Sequence, residues 1–310
     1  MNNMIWLIRR EFWENRAIWL LPAIIAGLLV VAGIFGGVHI GPNEMHVGPG
    51  DMQPNSDHSM PDSRVIGGVA LFAFSIVFLG IMSIYSAWYL LDCLYADRKD
   101  RSILFWKSLP LTDTETVLSK LAVGLLIIPL VYFVIADLTT LAMAFIISIR
   151  ASSWVGNSLW QPDIWLQLQV YWLYLIVTLA LWLLPVAGWL MLVSAVATRA
   201  VILWSFLPPL ALYLGERWVF GTHAVGAILT DRLLTGYPTT AFHASGDGGG
   251  IFSAIVHDGR ADAGAEAARS VWTYINPAGF FASPATWIGI GVGVGLIVAT
   301  IQVRSRRSEI

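Results

Sequence analysis

The chain has 310 residues, of which 57% are hydrophobic and 12% are charged, and its formal net charge is −2. Its mean hydropathy is +0.70, and its charged fraction is about half of the roughly 25% that soluble domains carry. A soluble chain of this size could not bury so much apolar surface. Composition therefore excludes a soluble enzyme, a disordered protein and a nucleic-acid-binding protein, and it indicates a polytopic membrane protein. The single cysteine, Cys93, excludes a disulfide framework.

Six apolar segments are long enough to cross a bilayer, which takes about 20 helical residues. We therefore expect an all-α, polytopic membrane fold that forms one domain over residues 1–310. Proline breaks or bends helices, so we expect Pro129, Pro185, Pro208 and Pro209 to do so in the third, fourth and fifth spans. The six predicted spans are Ala17–Val38, Val65–Leu91, Leu121–Ile149, Val170–Ala197, Val201–Phe220 and Ala285–Val303.

The distribution of lysine and arginine predicts the orientation. Twelve of them flank the spans on the side of the two termini, whereas the opposite side carries six over much longer loops. The positive-inside rule therefore places both termini in the cytoplasm, and residues 39–64, 150–169 and 221–284 outside. Within the last of these loops, Ala224–Leu234 and Ile251–Val256 are apolar enough to form short outer helices before the sixth span.

The cytoplasmic loop between the second and third spans contains the most informative pattern, in residues 95–110. Asp97 and Arg101 are four residues apart and can pair on a short charged helix. Pro110 ends this element, and the sequence TDTE at 112–115 predicts a capping box that starts a helix running into the third span. Four consecutive apolar side chains need a surface to bury against, which is either another cytoplasmic protein or the membrane surface. These are Ile103, Leu104, Phe105 and Trp106.

The stretch Tyr95–Lys120 resembles the corresponding loop of bacterial ABC-2 type transporter permeases. In that family this loop holds the coupling helix, which sits in a groove of a separate ATP-binding subunit. Arg9–Arg16 resembles the amphipathic interfacial helix at the family's N-terminus. Phe281–Trp287, followed by a glycine-rich span and Arg304–Arg307, resembles its C-terminal end. The resemblance extends over essentially the whole chain.

The resemblance implies the permease subunit of an ATP-driven ABC exporter in the bacterial cytoplasmic membrane. Two copies of this chain would assemble with two ATP-binding subunits, and those subunits would bind ATP and magnesium. The chain itself contains no G-x-x-x-x-G-K-[ST] phosphate-binding loop, so we expect no enzyme activity and no cofactor in it. The residues implied for ATPase docking are Asp97, Arg98, Arg101, Ile103, Leu104, Phe105, Trp106 and Pro110. Those implied for the N-terminal interfacial helix are Arg9, Arg10, Glu11, Phe12 and Trp13.

Asp137 lies in the third predicted span, where an unpaired carboxylate costs several kcal/mol and is a functional candidate by default. Three interpretations stay open: it lines a translocation path, it anchors neighbouring spans through a hydrogen bond to Thr139, Thr140 or a tryptophan, or it relays protons. The last would suit an ion- or proton-coupled secondary transporter, which is the first alternative function. The second alternative is a membrane scaffold or sensor that transports nothing.

Two weaker patterns remain. Met45, His46, His58 and Met60 share one outer loop, and thioether and imidazole groups suit copper. Their spacing matches no fixed motif, so we expect an unstructured polar loop and no metal site, with copper binding as the alternative. Two overlapping G-x-x-x-G spacings in the sixth span, and another at Gly33 in the first, predict close helix packing within the chain or in a dimer. The sixth-span glycines are Gly289, Gly291, Gly293 and Gly295.

Overall fold

The computed structural model describes residues 2–36, 63–99, 112–150, 156–157, 159–243 and 275–306. About 90% of these residues are helical and none lies in a strand, although Phe242 and Ile275 form an isolated antiparallel bridge. A helix satisfies its own backbone hydrogen bonds, which a bilayer core demands of any segment that crosses it. The predicted all-α class is therefore confirmed for the described residues.

The described helices are numbered here in chain order. They are α1 (Asn2–Glu14), α2 (Ala17–Phe35), α3 (Ser63–Lys99), α4 (Asp113–Arg150), α5 (Pro162–Trp182), α6 (Leu184–Val196), α7 (Val201–Val219), α8 (Ala224–Thr230), α9 (Gly236–Ala241), α10 (Pro277–Ala282) and α11 (Pro284–Arg306). A π-helical turn, Val123–Ile127, lies inside α4, and a second one, Asp231–Thr235, connects α8 to α9.

Five of the described helices are long and apolar enough to cross a membrane: α2, Leu71–Lys99 of α3, α4, α5 and α11. The predicted fifth span, Val201–Phe220, is indeed helical as α7, but it is not one of these five. Its two prolines and the adjacent charges of Glu216 and Arg217 lower its mean hydropathy. The structure thus supports a multi-pass membrane protein with five candidate spans in its described part.

The second span is longer than predicted. The span was predicted to end at Leu91 and to be followed by a short charged helix, whereas α3 continues without a break to Lys99, so that residues 95–99 are helical as part of α3. No glycine or proline occurs between Leu91 and Lys99 to end the helix. In addition, the side chains of Asp97 and Arg98 bind other helices, which holds the last turn in place.

The capping box predicted at residues 112–115 is confirmed. The Glu115 amide donates to Thr112 Oγ1 over 3.2 Å, and the Thr112 amide donates to Glu115 Oε2 over 3.0 Å. These reciprocal bonds satisfy two backbone donors that the first turn of a helix leaves unpaired. As predicted, the helix that starts here runs on into the third span as α4.

Irregular turns mark two of the predicted proline positions. Pro129 follows the π-helical turn of α4, and it cannot donate to the carbonyl of Leu125 because proline has no N–H. The fourth span divides at Leu183, two residues before Pro185, so that α5 and α6 are two separate helices within the predicted span. By contrast, α7 passes through Pro208-Pro209 without a break.

The fourth span also begins earlier than predicted, since α5 starts at Pro162 rather than Val170. Pro162 occupies the first turn of the helix, where a missing N–H costs nothing. Ile164 and Leu168 then bury against the bundle and hold this first part of the helix in place. At the other end, residues 198–200 connect α6 to α7 in a tight turn, and Ala200 adopts a left-handed conformation there.

Glycines allow α6 and α11 to pack closely against each other. This agrees with the first of the two predicted alternatives, which was close helix packing within one chain. A Cβ atom on Gly293 would lie 2.8 Å from the carbonyl carbon of Leu184, and one on Gly188 would lie 3.0 Å from the Gly293 oxygen. Gly33 packs in the same way against Met143 of α4. In contrast, a Cβ atom on Gly291 would meet no other described atom within 4 Å.

The predicted short helix at Ala224–Leu234 is present as α8 and the π-helical turn that follows it. The Trp182 indole donates to the Arg232 carbonyl over 2.9 Å, and the Arg232 guanidinium lies over the Trp182 ring at 4.2 Å. Arg232 also donates to the Ala285 carbonyl at the start of α11. These contacts hold this segment, which precedes the last span, against α5 and α11. The second predicted outer helix, at 251–256, lies outside the described residues.

Candidate functional site at the charged end of the bundle

Five charged side chains from four separate parts of the chain meet at one end of the helix bundle, which we call the charged end. We call them the charged cluster: Glu11 of α1, Asp97 of α3, Asp113 and Lys120 of α4, and Arg304 of α11. Four of the five are at most 8% exposed, and Asp113 is the most accessible member. The cluster contains three carboxylates and two cations.

Lys120 occupies the centre of the cluster. Its Nζ donates to Glu11 Oε1 over 2.8 Å and to Asp97 Oδ1 over 3.3 Å. The second oxygen of Glu11 accepts a hydrogen bond of 2.8 Å from the Tyr89 hydroxyl and one of 3.4 Å from the Asn15 amide. The ammonium group is therefore shared by two carboxylates, and one of these is further held by neutral donors.

Arg304 forms the second centre. Its Nε donates to Asp113 Oδ1 over 2.9 Å, and its Nη1 lies 3.5 Å from Asp97 Oδ2. Asp97 thus contacts both cations of the cluster, while Asp113 stands at the first turn of α4, just after the capping residue Thr112. The end of α3 and the beginning of α4 are joined to each other through one residue of the last helix.

The energetic consequence of this arrangement is strong mutual dependence. A buried ion costs several kcal/mol to remove from water, and only well-placed partners offset that cost. Removing any one cation would leave at least one carboxylate without its ion-pair partner. The charged cluster therefore favours one relative position of α1, α3, α4 and α11, and it resists small displacements of any of them.

Arg98, the neighbour of Asp97, makes a separate connection to α6. Its Nη2 donates to the carbonyl of Ala197 over 2.8 Å and also to that of Ser194. The Ser194 hydroxyl accepts hydrogen bonds from the amides of Leu94 and Tyr95, at 3.1 and 3.0 Å. The last turns of α3 are thereby bound on one side to α6 and on the other to the charged cluster.

The N-terminal helix predicted around Arg9–Arg16 is observed as α1. One face of this helix packs against the bundle, and the rest of its surface is more exposed. Leu7 and Glu11 are buried toward the bundle, and Phe12 packs against its hydrophobic core. On other faces, Trp13 is 68% exposed, Arg9 lies against the ring of Trp6, and Arg10 pairs with Glu14. Exposed aromatic and basic side chains around a docked helix are typical of a position at a membrane interface.

Several predicted site residues cannot be placed. The docking candidates Arg101, Ile103, Leu104, Phe105, Trp106 and Pro110 lie outside the described residues, as do Met45, His46, His58 and Met60. The pairing predicted between Asp97 and Arg101 therefore stays a prediction. The residues that flank 100–111 are Lys99, in α3, and Thr112, which caps α4, and both helices contribute to the charged cluster.

Asp137 is far along α4 from the charged cluster and has its own partner. Gln169 of α5 donates from Nε2 to Asp137 Oδ1 over 2.6 Å. Thr139 and Thr140, two of the partners considered from the sequence, donate instead to carbonyls of their own helix. The hydrogen bond thus connects neighbouring helices, as the anchor interpretation requires, but its donor is a glutamine and not one of the predicted threonines or a tryptophan.

The charged cluster itself was not predicted, although its residues carried a signal. Glu11 lies four residues after the buried Leu7, on the apolar face of α1, and Lys120 lies three residues after the buried Val117. Residues three or four apart share a helix face, so each charge lies on the same face as a buried apolar residue. A carboxylate and an ammonium group in such positions indicate a buried pair, which a count of basic residues on each side of the membrane does not reveal.

Comparisons with known proteins add no assignment. No family model, no curated protein and no solved structure matches this chain.

Proposed function

We propose that this chain is the permease subunit of an ATP-driven transporter of the ABC-2 type, working as an exporter with a separate ATP-binding subunit. Its resemblance to that family in three stretches motivates the proposal. The charged cluster is the observation that carries it, because residues from all three stretches contribute to it: Glu11, Asp97 with Lys120, and Arg304.

The mechanism follows from where residues 100–111 are attached. They would form the docking segment, and the helices on either side of them are tied together through Asp97, Asp113 and Arg304. A force applied to the segment by an ATPase would therefore reach α3, α4 and α11 together, and α1 through Lys120 and Glu11. A coupling device needs this property, since a loosely attached loop would absorb the movement.

The proposal also specifies the assembly. The charged end would face the cytoplasm of a bacterial cell, α7 would supply the sixth crossing, and two copies of the chain would associate with two ATPases. ATP and magnesium would bind in those ATPases. Closure of the ATPases on ATP would move the charged end of each permease and open a path between the two copies.

The decisive experiment reconstitutes the chain in vesicles with an ATPase that has a phosphate-binding loop, has no membrane span and is encoded beside it. Co-purification and stimulation of ATP turnover by the permease support the proposal. Arg304→Gln should leave co-purification intact but lower the stimulation, because the bridge from Asp97 to Asp113 is lost. Arg306→Gln is the matched control: this arginine is exposed two residues further along α11, and its loss should change neither property.

Two outcomes would count against the proposal, the first against the ATPase assignment and the second against the role of the charged cluster. If the ATPase neither co-purifies with the wild-type chain nor changes its turnover in the presence of the permease, the chain is not its permease. If Arg304→Gln and Arg306→Gln behave alike while wild-type coupling is intact, the ATPase assignment stands and the charged cluster has no part in coupling.

A further inference from the structure

Two arginines near the N-terminus are exposed without a carboxylate to neutralise them: Arg9 in α1, and Arg16 just before α2. Neither forms an ion pair with any residue that the structure describes. The two carboxylates of α1 are already in use, since Glu11 belongs to the buried charged cluster and Glu14 pairs with Arg10 over 2.8 Å. Two positive charges therefore stand uncompensated on this surface.

Tryptophans lie beside these arginines on the same surface. Trp6, Arg9 and Trp13 follow one another at spacings of three and four residues, so they share one face of α1. The Arg9 guanidinium carbon lies 5.5 Å from the centre of the Trp6 ring, and both indoles are largely exposed. Leu7 and Glu11 are buried on a different face, toward the bundle. Exposed indole and guanidinium groups that alternate along a helix are typical of a surface in contact with lipid headgroups.

The position of this surface in the chain puts it at the boundary of a membrane helix. α2, which begins at Ala17, is a candidate membrane span, and only Asn15 and Arg16 separate it from α1. The buried ion pair of Glu11 with Lys120 also holds α1 against the bundle, so that α1 stays close to the start of this span. The headgroup of a lipid next to α2 is therefore within reach of the exposed arginines.

α2 offers an apolar surface for the acyl chains of the same lipid. Leu20, Ile24 and Leu28 are spaced four residues apart and so share one face of the helix, and all three are exposed. No charged residue occurs in α2. A molecule with an anionic headgroup and hydrocarbon chains therefore matches both the arginines and the helix that follows them. A soluble anion or an acidic protein surface would match the arginines alone.

We infer that Arg9 and Arg16, together with Trp6 and Trp13, form a binding site for an anionic phospholipid of the bilayer. The guanidinium groups donate hydrogen bonds to the phosphate oxygens, the indole rings pack beside the headgroup, and the acyl chains lie along α2. Guanidinium suits this role because its planar set of donors fits the oxygens of a phosphate group. The site belongs to a single copy of the chain and needs no ATPase, so its occupancy is independent of the proposed coupling.

The test uses two photoreactive lipids in phosphatidylcholine vesicles that contain the purified chain alone. One is phosphatidylglycerol with a diazirine near the glycerol end of an acyl chain, and the other is phosphatidylcholine with the same chains and the same diazirine. After illumination, labelled peptides are identified by mass spectrometry. The anionic lipid should label residues 5–24 about twentyfold more than the zwitterionic one, because each basic residue near an anionic lipid contributes about fivefold. Residues 206–214 of α7, which contain no charge, should show no preference.

Three single variants complete the test. Arg9→Gln and Arg16→Gln should each lower the preference about fivefold, and combining them should remove it. Arg306→Gln is the matched control, because it removes one exposed arginine from α11 instead and should leave the preference unchanged. Circular dichroism and gel filtration verify the folding of each variant. Equal labelling of residues 5–24 by the two lipids in the wild type, or equal effects of Arg9→Gln and Arg306→Gln, would overturn the inference.

Discussion

Lys120 Nζ lies 2.8 Å from Glu11 Oε1, although the two residues are 109 positions apart in the sequence. Both side chains are almost fully buried. The contact fixes α1, which precedes the first membrane helix, against the beginning of α4. A short helix held only by lipid could slide along a membrane surface, whereas α1 is attached to the helix bundle by a buried ion pair.

The first prediction concerns the stability that Lys120 provides. Lys120→Met leaves Glu11 without its cationic partner and Asp97 with Arg304 alone, and breaking a buried pair on one side typically costs about 3–5 kcal/mol. The free energy of unfolding in detergent should fall by that amount. A smaller loss is expected when Glu11→Gln is added to Lys120→Met, because the second change removes the buried charge that the first one left unpaired.

Arg10→Ala is the matched control for this prediction. It breaks the exposed pair of Arg10 with Glu14 on the same helix, and such surface pairs are worth about 0–1 kcal/mol. If Lys120→Met cost no more than Arg10→Ala, the buried charged cluster would not stabilise the fold as described.

A second prediction concerns the contact between α6 and α11. Gly293→Val places side-chain atoms where the backbone of Leu184 already lies. Overpacking of this kind costs about 1–3 kcal/mol, so the melting temperature should fall. Gly291→Val, two residues away, enters open space in the described structure and should change stability by less than about 0.5 kcal/mol. Equal effects of the two substitutions would show that the α6–α11 contact is not formed.

The elements that the sequence predicted well were those specified by local pattern. The capping box at residues 112–115 satisfies its own backbone donors, and the apolar runs of α2, α4 and α11 need only length and composition. The charged cluster was different, because Glu11, Lys120 and Arg304 become neighbours only after the helices pack. No rule based on spacing within one helix can pair residues that are 109 or 191 positions apart.

The C-terminal part of α3 is a second case in which the local sequence did not predict the structure. The charges of residues 97–101 predicted that the membrane helix would stop before them, since charged residues are costly inside a bilayer. The helix continues because Asp97 and Arg98 find partners on α4, α6 and α11. Tertiary contacts that the local sequence cannot reveal therefore stabilise this part of the helix.

The third prediction tests orientation. Ser305→Cys is exposed at the charged end, and His223→Cys is exposed just after α7, which the six-span arrangement places outside. In intact cells an impermeant thiol reagent should label His223→Cys and leave Ser305→Cys unlabelled. The wild-type chain is the control, since its single cysteine, Cys93, is buried. The reverse labelling would place the charged end outside the cell and remove it from contact with any cytoplasmic ATPase.

The fourth prediction concerns Asp137. Asp137→Asn keeps an oxygen that can accept from Gln169, so the variant should fold and retain most of its ATP-driven activity. Asp137→Leu leaves the Gln169 amide without its acceptor and should cost about 1–3 kcal/mol of stability. Melting curves and transport assays measure the two effects. If Asp137→Asn abolished transport, and wild-type transport followed the external pH, a proton-coupled carrier would replace the ATP-driven mechanism.

The last prediction concerns the docking segment itself. Aromatic anchors dominate protein interfaces, and truncating one typically costs about 2 kcal/mol or more, which is roughly thirtyfold in Kd. The double variant Phe105→Ala/Trp106→Ala should therefore lose the ATPase during co-purification while the permease stays inserted and folded. Arg101→Ala should do less, because it truncates no aromatic anchor and a pair of charges four residues apart on one helix is worth only about 0.2–0.5 kcal/mol.

The matched control is Trp218→Ala/Phe220→Ala, which removes two exposed aromatic side chains at and just beyond the end of α7 and should leave ATPase binding unchanged. A melting curve of the isolated permease distinguishes the remaining alternative. If Phe105 and Trp106 bind the membrane surface rather than an ATPase, their truncation lowers the stability of the permease alone and leaves co-purification intact. In that case residues 100–111 are not the coupling segment, and the charged cluster holds the bundle together without transmitting movement to it.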